Sequence, residues 1–194
     1  MTAKVPLAIL ISGRGSNMAA LIEAARADDC PYEVVLVASN NPDAAGLAIA
    51  RDAGIPTFVH SHKGLGREEF DAIIDSALRS ARVRYVALAG YMRILSDSFV
   101  SGWSGRMLNI HPSLLPRHKG LDTHRRAIEA GDAEGGCSVH LVTPALDDGE
   151  VIARVAIPIL PGDTAATLSV RVLQAEHRLY PETLAAYIRG HGGL

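Results

Sequence analysis

Residues Leu7–Asn17 read LAILISGRGSN, an unbroken aliphatic run that leads into a glycine-rich loop. The run from Leu7 to Ile11 predicts a buried strand, and the segment Met18–Ala27 behind the loop has helical periodicity. Glycines permit positive φ angles and a close approach of the backbone to a ligand, and the free N–H groups at the start of the helix suit an anion. The alternative is a simple tight turn in which Ser16 or Asn17 caps the helix.

The alternation of apolar strands with helices continues along the chain and decides the fold class. Further strands are predicted at Val34–Ala38, Pro56–Val59, Tyr85–Ala89, Arg106–Ile110, Ser138–Val142 and Val151–Ile157. Further helices are predicted at Ala44–Ala53, Arg67–Ala81, Thr123–Ala130 and Thr164–Ile188, the last kinked or divided at Pro181. Because such alternation forms parallel βαβ units, we expect a single domain over residues 1–194. Its predicted fold is Rossmann-like and three-layered (αβα), with a mostly parallel central sheet of about seven strands and an antiparallel C-terminal part.

The composition is that of an ordinary globular protein. Of the 194 residues, 48% are hydrophobic and 21% are charged, and the net charge is -2, so we expect no nucleic-acid partner. The apolar run near the N-terminus is too short for a signal peptide or a membrane span. Cys30 and Cys137 form no metal-ligand pattern and fit a reduced compartment. We expect a cytoplasmic monomer or homodimer with no metal and no membrane partner.

Three loops follow predicted strands and carry most of the polar residues of interest. They are Gly13–Asn17, Gly90–Leu95 and Asn109–Ser113. The first lacks the third glycine of the dinucleotide fingerprint and the Gly-Lys-Ser/Thr of a P-loop, so it predicts neither NAD nor ATP. Since ligands of open α/β sheets bind at the carboxyl ends of the strands, we expect the three loops to share one cleft.

Asn109 and His111 stand two residues apart at a predicted strand end, so their side chains point to the same side. An Asn amide can donate a hydrogen bond to a developing oxyanion, and a His can move a proton near neutral pH. Asp147, in a loop between two predicted strands, is a carboxylate that could stabilise an imidazolium. The alternatives are a structural histidine and an Asx-type turn, and nothing local brings Asp147 to His111.

The other histidines are weaker candidates. His118 and His124 lie near the proposed site in sequence and could line it, whereas His140 alternates within a strand. His60 and His62 have no acidic or cysteine partner at metal-ligand spacing, so we predict that they are surface loop residues.

A set of motifs, taken in chain order, resembles a known family. They are ISGRGSN at 11–17, LAGYMRIL at 88–95, LNIHPSLLP at 108–116, CSVH at 137–140 and LDDG at 146–149. In this order and spacing, over about Leu7 to Tyr187, they resemble the folate-dependent formyltransferases that act on glycinamide ribonucleotide. The resemblance implies transfer of the formyl group of 10-formyltetrahydrofolate, as co-substrate, to the amine of that ribonucleotide in de novo purine biosynthesis.

The resemblance also implies roles for individual residues. The implied catalytic residues are Asn109, His111 and Asp147. The implied binding residues for the substrate phosphate and ribose are Gly15, Ser16, Asn17 and Glu176. The implied folate-binding residues are Arg67, Met92, Arg93, Ile94, Leu95 and Asn109. In this scheme Asn109 and protonated His111 stabilise the oxyanion, each such donor contributing roughly 3–4 kcal/mol; His111 protonates the leaving folate nitrogen, and Asp147 keeps His111 protonated and oriented.

Relatives with other activities define the alternatives. The enzyme that formylates the aminoacyl group of initiator tRNA shares two motifs but needs a further C-terminal domain and a basic surface, and the formyltetrahydrofolate hydrolase carries a further N-terminal domain. Sugar-amine formyltransferases differ mainly in the phosphate loop. A folate- or nucleotide-binding module without catalysis would have a broken catalytic set. His118 and Asp122 depart from what many relatives carry beside the site, which concerns pocket contacts rather than the reaction.

Overall fold

A seven-stranded sheet in the order β3-β2-β1-β4-β5-β6-β7 forms the centre of the computed structural model, which describes residues 3–191. The strands are β1 (Val5–Ile11), β2 (Tyr32–Ser39), β3 (Thr57–Val59), β4 (Tyr85–Leu88), β5 (Met107–His111), β6 (Glu134–Leu141) and β7 (Val151–Pro158). Neighbours from β3 to β5 pair in parallel, whereas β5 with β6 and β6 with β7 pair antiparallel. The predicted mostly parallel sheet with an antiparallel C-terminal part is confirmed.

Helices cover both faces of the sheet. They are α1 (Ser16–Ala25), α2 (Gly46–Asp52), α3 (Arg67–Ser80), α4 (Asp97–Gly102), α5 (Thr123–Glu129) and α6 (Ala165–His191). Helix α4, which the sequence interpretation missed, has six residues and is capped by the Ser96 hydroxyl, which accepts from the N–H of Phe99. Of the kink or division expected at Pro181, the division is wrong. Helix α6 is one helix of 27 residues in which Pro181 is buried beside Tyr180, so packing offsets the hydrogen bond that proline removes.

Strand β1 shows why the fold has three layers. Successive side chains of a strand point to opposite faces, and every residue from Leu7 to Ile11 is buried. Leu7, Ile9 and Ile11 pack in the cluster formed with α1, α2 and α6, while Ala8 and Leu10 pack in the cluster formed with α3 and α4. A continuous aliphatic run is therefore what a doubly covered strand requires.

The strand order creates a cleft beside β1. Strand β2 lies on one side of β1 and β4 lies on the other, so the order in which the strands are added to the sheet changes sides at β1. Such a switch in strand order opens a crevice at the carboxyl edge of the sheet. The loops after β1, β4 and β5 all lie at this edge. Among residues 3–191, no helix has both the length and the apolar character that a membrane crossing requires.

Candidate active site

The end of β5 presents two polar side chains to the cleft. Leu108 and Ile110 belong to the hydrophobic cluster on the α6 side of the sheet, so Asn109 and His111 face the other side by the period of the strand. Behind His111 the chain turns, with the N–H of Ser113 donating to the His111 carbonyl at 2.9 Å. The predicted placement of Asn109 and His111 on one side is confirmed.

Asp147 reaches the same place from the loop between β6 and β7. Its Oδ2 lies 3.4 Å from Nδ1 of His111, and each of the two side chains is only 8% exposed. The loop is tight: Asp147 has a φ of 49°, and a Cβ added at Gly149 would lie 1.8 Å from the Leu141 carbonyl oxygen. Only glycine therefore fits behind Asp147, and the fold assembles the carboxylate and the imidazole that the sequence leaves 36 positions apart.

A second loop, residues 117–122, closes over His111 and Asp147. The carbonyl oxygen of His118 lies 3.1 Å from Nε2 of His111, and the N–H of Gly120 donates to Oδ2 of Asp147 at 2.9 Å. Both ring nitrogens of His111 thus face oxygen acceptors, an arrangement that the doubly protonated imidazolium satisfies. His118 itself is held by Asp132, with Nε2 and Oδ2 2.7 Å apart.

His140 is a site residue that the sequence interpretation missed. It stands directly opposite Asn109 in the antiparallel pairing of β5 with β6, and Nδ2 of Asn109 lies 3.0 Å from its Nε2. Its Nδ1 donates to the Leu141 carbonyl at 2.8 Å. Burial lowers the pKa of His140, while its hydrogen bond to Leu141 and the Asp147 carboxylate, whose Oδ1 lies 3.6 Å from Nε2, oppose that shift. The net lowering favours the neutral ring, with the proton on Nδ1 and a lone pair on Nε2. The alternating pattern of β6 predicts a strand but does not show which of its residues lies opposite Asn109, so the sequence could not reveal this pairing.

His124 and Asp122 flank this centre. Burial and the charge of His111 lower the pKa of His124, and His124 lines a small cavity together with Pro112, Ser113 and His118. Asp122 precedes α5 with a φ of 57° and pairs with Arg125 at 2.7 Å. Since both partners of that pair are exposed, it contributes little to stability.

The glycine-rich loop after β1 leads into α1 without a side-chain cap. Gly15 occupies the N-cap position with a φ of 75°, and among the described residues no side chain caps this helix. The alternative interpretation of Ser16 or Asn17 as the cap is therefore wrong. A Cβ at Gly15 would lie 2.8 Å from the Cα of Gly46, so the loop packs directly on the start of α2. The first-turn N–H groups of α1 remain available to an anion.

Asn17 turns instead toward α6. Its Nδ2 donates to Oε2 of Glu176 at 2.6 Å, and both side chains are buried. Burial raises the pKa of Glu176, and the hydrogen bond from Asn17 opposes that shift. The buried Oδ1 of Asn17 has no hydrogen-bond partner among residues 3–191. The predicted substrate-binding residues of the loop and Glu176 are thus brought together by the packing of α1 on α6.

The predicted folate-binding segment forms the loop after β4. Met92 and Ile94 are 71% and 56% exposed, whereas Leu95 is buried. The Arg93 guanidinium lies 4.8 Å from the ring centre of Phe70 and donates to the Gly66 carbonyl. Gly66 immediately precedes α3, so the first residue of that helix, Arg67, lies beside the loop.

Comparison with known proteins places this site in a family. A profile described as formyl transferase matches residues 5–184. Phosphoribosylglycinamide formyltransferase of Escherichia coli (strain K12) is 44% identical over 185 residues, 95% of this chain and 87% of that protein. The solved structure of phosphoribosylglycinamide formyltransferase from Brucella melitensis superposes with a TM-score of 0.91 at 49% identity, covering 95% of this chain and 96% of that one.

In another relative, the region similar to this chain is one part of a much longer protein. The trifunctional purine biosynthetic protein adenosine-3 of Drosophila melanogaster is 48% identical over 187 residues, which are 95% of this chain but only 14% of that protein. The similarity thus extends over nearly the whole of the chain, including the loops at the carboxyl edge of the sheet. The chain belongs to the formyl transferase family.

Proposed function

We propose that this protein transfers the formyl group of 10-formyltetrahydrofolate to the amine of N1-(5-phosphoribosyl)glycinamide, a step of de novo purine biosynthesis. The observation that carries the proposal is the meeting of Asn109, His111 and Asp147 at the end of β5, with His111 and Asp147 3.4 Å apart. The relatives named phosphoribosylglycinamide formyltransferase support the choice of acceptor.

The uncapped start of α1 is the proposed phosphate site. The backbone N–H groups after Gly15, at Ser16 and Asn17, would bind the phosphate with help from the helix dipole. The buried carboxyl of Glu176, already hydrogen-bonded to Asn17, would accept hydrogen bonds from ribose hydroxyls. An amine carried by this ribonucleotide would then extend past β4 toward the end of β5.

The folate would bind along the loop after β4, against Met92, Arg93, Ile94 and Leu95, with Arg67 at the mouth of the cleft. The exposed Met92 and Ile94 offer apolar surface and the backbone offers donors and acceptors, as a flat heterocycle needs. The adjacent pairing of β4 with β5 brings this loop beside Asn109, so the formyl group would reach the catalytic residues.

In the proposed reaction the amine attacks the formyl carbon, and the carbon–nitrogen bond to the folate then breaks. The amine loses one proton while the folate nitrogen gains one, so the transfer takes up no net proton. Asn109 has one amide hydrogen on His140, which leaves the second for the oxyanion. Because Nε2 of His111 is engaged by the backbone of His118, Nδ1 beside Asp147 is the nitrogen that would exchange the proton.

Initial rates with a panel of acceptors test the proposal. Release of tetrahydrofolate from 10-formyltetrahydrofolate is followed by absorbance with glycinamide ribonucleotide, with glycinamide alone, with an amino-sugar nucleotide and with water only. Of these four conditions, we expect rapid turnover only with glycinamide ribonucleotide. Faster turnover with the amino-sugar nucleotide would show that the proposed acceptor is wrong. Release of tetrahydrofolate without any amine would indicate a hydrolase, and no turnover with any acceptor would indicate a binding module without catalysis.

A further inference from the structure

Ser12, the first residue after β1, connects the loops that follow neighbouring strands. Its Oγ donates to Oδ1 of Asn40 at 2.6 Å and accepts from the N–H of Met92 at 2.7 Å. Its own N–H donates to the Gly90 carbonyl at 3.2 Å, and its carbonyl accepts from Nδ2 of Asn41 at 3.2 Å. One side chain therefore joins the glycine-rich loop to the loop after β2 and the loop after β4.

The partner of the Ser12 hydroxyl is itself fixed. Asn40 is only 3% exposed, and Nδ1 of His62 lies 2.9 Å from its carbonyl oxygen and 3.1 Å from its Nδ2. His62 lies in a loop, as the sequence indicated, but it is half-buried and packs edge-on against Phe70. The burial of Asn40 and its contact with His62 hold this residue in place, and the Ser12 hydroxyl donates its proton to the Asn40 Oδ1. The Ser12 lone pairs then face the Met92 peptide.

The loop after β4 has little packing of its own at Met92. The Met92 side chain is 71% exposed, and Gly90 before it has a φ of 74°. The far end of the loop is held by Asp71, whose Oδ2 accepts from the N–H of Ser96 at 2.5 Å. The loop after β4 is thus held at two points by side chains from elsewhere in the chain. The Ser12 hydroxyl holds it at Met92, and the Asp71 carboxylate holds it at Ser96.

We propose that Ser12 is a positioning residue for the folate: its hydroxyl holds the Met92 peptide in the binding conformation before the ligand arrives. The inference rests on the proposed function, since the segment 92–95 matters in this way only if it binds folate. Holding a loop in its bound shape lowers the ordering cost of binding. Ser12 therefore belongs functionally to the folate site, although it stands at the start of the glycine-rich loop.

Equilibrium titration with each ligand separates this role from a general structural one. Ser12→Ala should weaken the binding of tetrahydrofolate about three- to tenfold, the size expected for one net hydrogen bond. The affinity for glycinamide ribonucleotide should change by less than about twofold, because the backbone of the phosphate loop keeps its own bonds. Ser12→Thr, which keeps the hydroxyl, should restore most of the folate affinity.

Ser39→Ala is the matched control. Its hydroxyl also bonds at a strand end, to the carbonyl and N–H of Asn41, but the structure gives it no bond to Met92. We expect Ser39→Ala to bind tetrahydrofolate as the wild type does. Equal weakening of both ligands in Ser12→Ala, a similar loss in Ser39→Ala, or unchanged folate affinity in Ser12→Ala would overturn the positioning role. A wild-type protein that binds no folate would instead overturn the proposed function, and this inference with it.

Discussion

Nδ2 of Asn109 lies 3.0 Å from Nε2 of His140, its cross-strand neighbour. Because Nδ1 of His140 donates to the backbone and burial lowers the pKa of this histidine, Nε2 is an acceptor. An acceptor at this position requires that the NH2 group of the Asn109 side chain, and not its carbonyl oxygen, faces His140. The neutral histidine therefore determines that Asn109 presents an N–H, and not a carbonyl, to a developing oxyanion.

Replacing His140 should impair turnover more than binding. His140→Phe keeps a ring of similar size but removes the acceptor, so we expect kcat to fall about tenfold to a hundredfold, part of what loss of an oxyanion donor costs. His140→Gln keeps an acceptor and should recover much of the loss. Steady-state kinetics with circular dichroism as a check on folding measure this. A His140→Phe enzyme with the wild-type kcat would show that His140 does not orient Asn109 for catalysis.

Glu176 should make the stability of the protein depend on pH in a defined direction. Burial raises its pKa above the ordinary carboxyl value of 4.5, so the folded state binds this proton more tightly than the unfolded state. Stability from this group is then fully present below about pH 4.5 and is lost as the pH rises through the raised value. Glu176→Gln, which stays neutral and keeps an acceptor for Asn17, should avoid that loss.

Denaturant unfolding at about pH 4 and about pH 8 tests this sign. The free energy of unfolding of Glu176→Gln relative to the wild type should rise between the two pH values, while its affinity for glycinamide ribonucleotide falls. Glu182→Gln, at an exposed position of the same helix, is the control and should show no such trend. A relative stability of Glu176→Gln that stays flat or declines would contradict the assignment.

Gly15 should tolerate no side chain. An alanine there meets both a left-handed φ of 75° and the Cα of Gly46 at 2.8 Å, so we expect a loss of about 2–4 kcal/mol in the free energy of unfolding. The KM for the phosphorylated amine should rise far more than the KM for the folate. Gly54→Ala shares the φ of 75° but has open space around its Cβ, so it should lose only about 1–2 kcal/mol. Equal increases in both KM values for Gly15→Ala would argue against a phosphate site.

Much of the fold could be predicted because its signals are local. The aliphatic run of β1 and the helical spacing of α3 each carry their own pattern, and together with the strand–helix alternation they indicate a covered parallel sheet. Helix α4 was missed because six residues are too few for a periodicity. The long α6 was predicted, but the alternative of a division at Pro181 was wrong because packing around this residue, which sequence alone does not show, offsets the local effect of proline.

The site was less accessible from residues alone. The local pattern placed Asn109 and His111 on one side of a strand, but only the family resemblance joined them to Asp147, since a loop position carries no information on its distant contacts. His140 depended on strand register, and the Ser12 network on loops that meet only in the folded chain. The capping of α1 by Ser16 or Asn17 was a wrong local interpretation, because the buried contact with Glu176 competes for the Asn17 side chain.

The most direct measurement is the rate of formyl transfer from 10-formyltetrahydrofolate to glycinamide ribonucleotide by the wild type and by His111→Ala, with tetrahydrofolate affinity measured on the same samples. We predict that the wild type transfers the group, and that the variant is slower by about 10²- to 10⁴-fold while its folate affinity stays within about threefold. A His111→Ala variant that transfers the formyl group at the wild-type rate would show that His111 has no catalytic role.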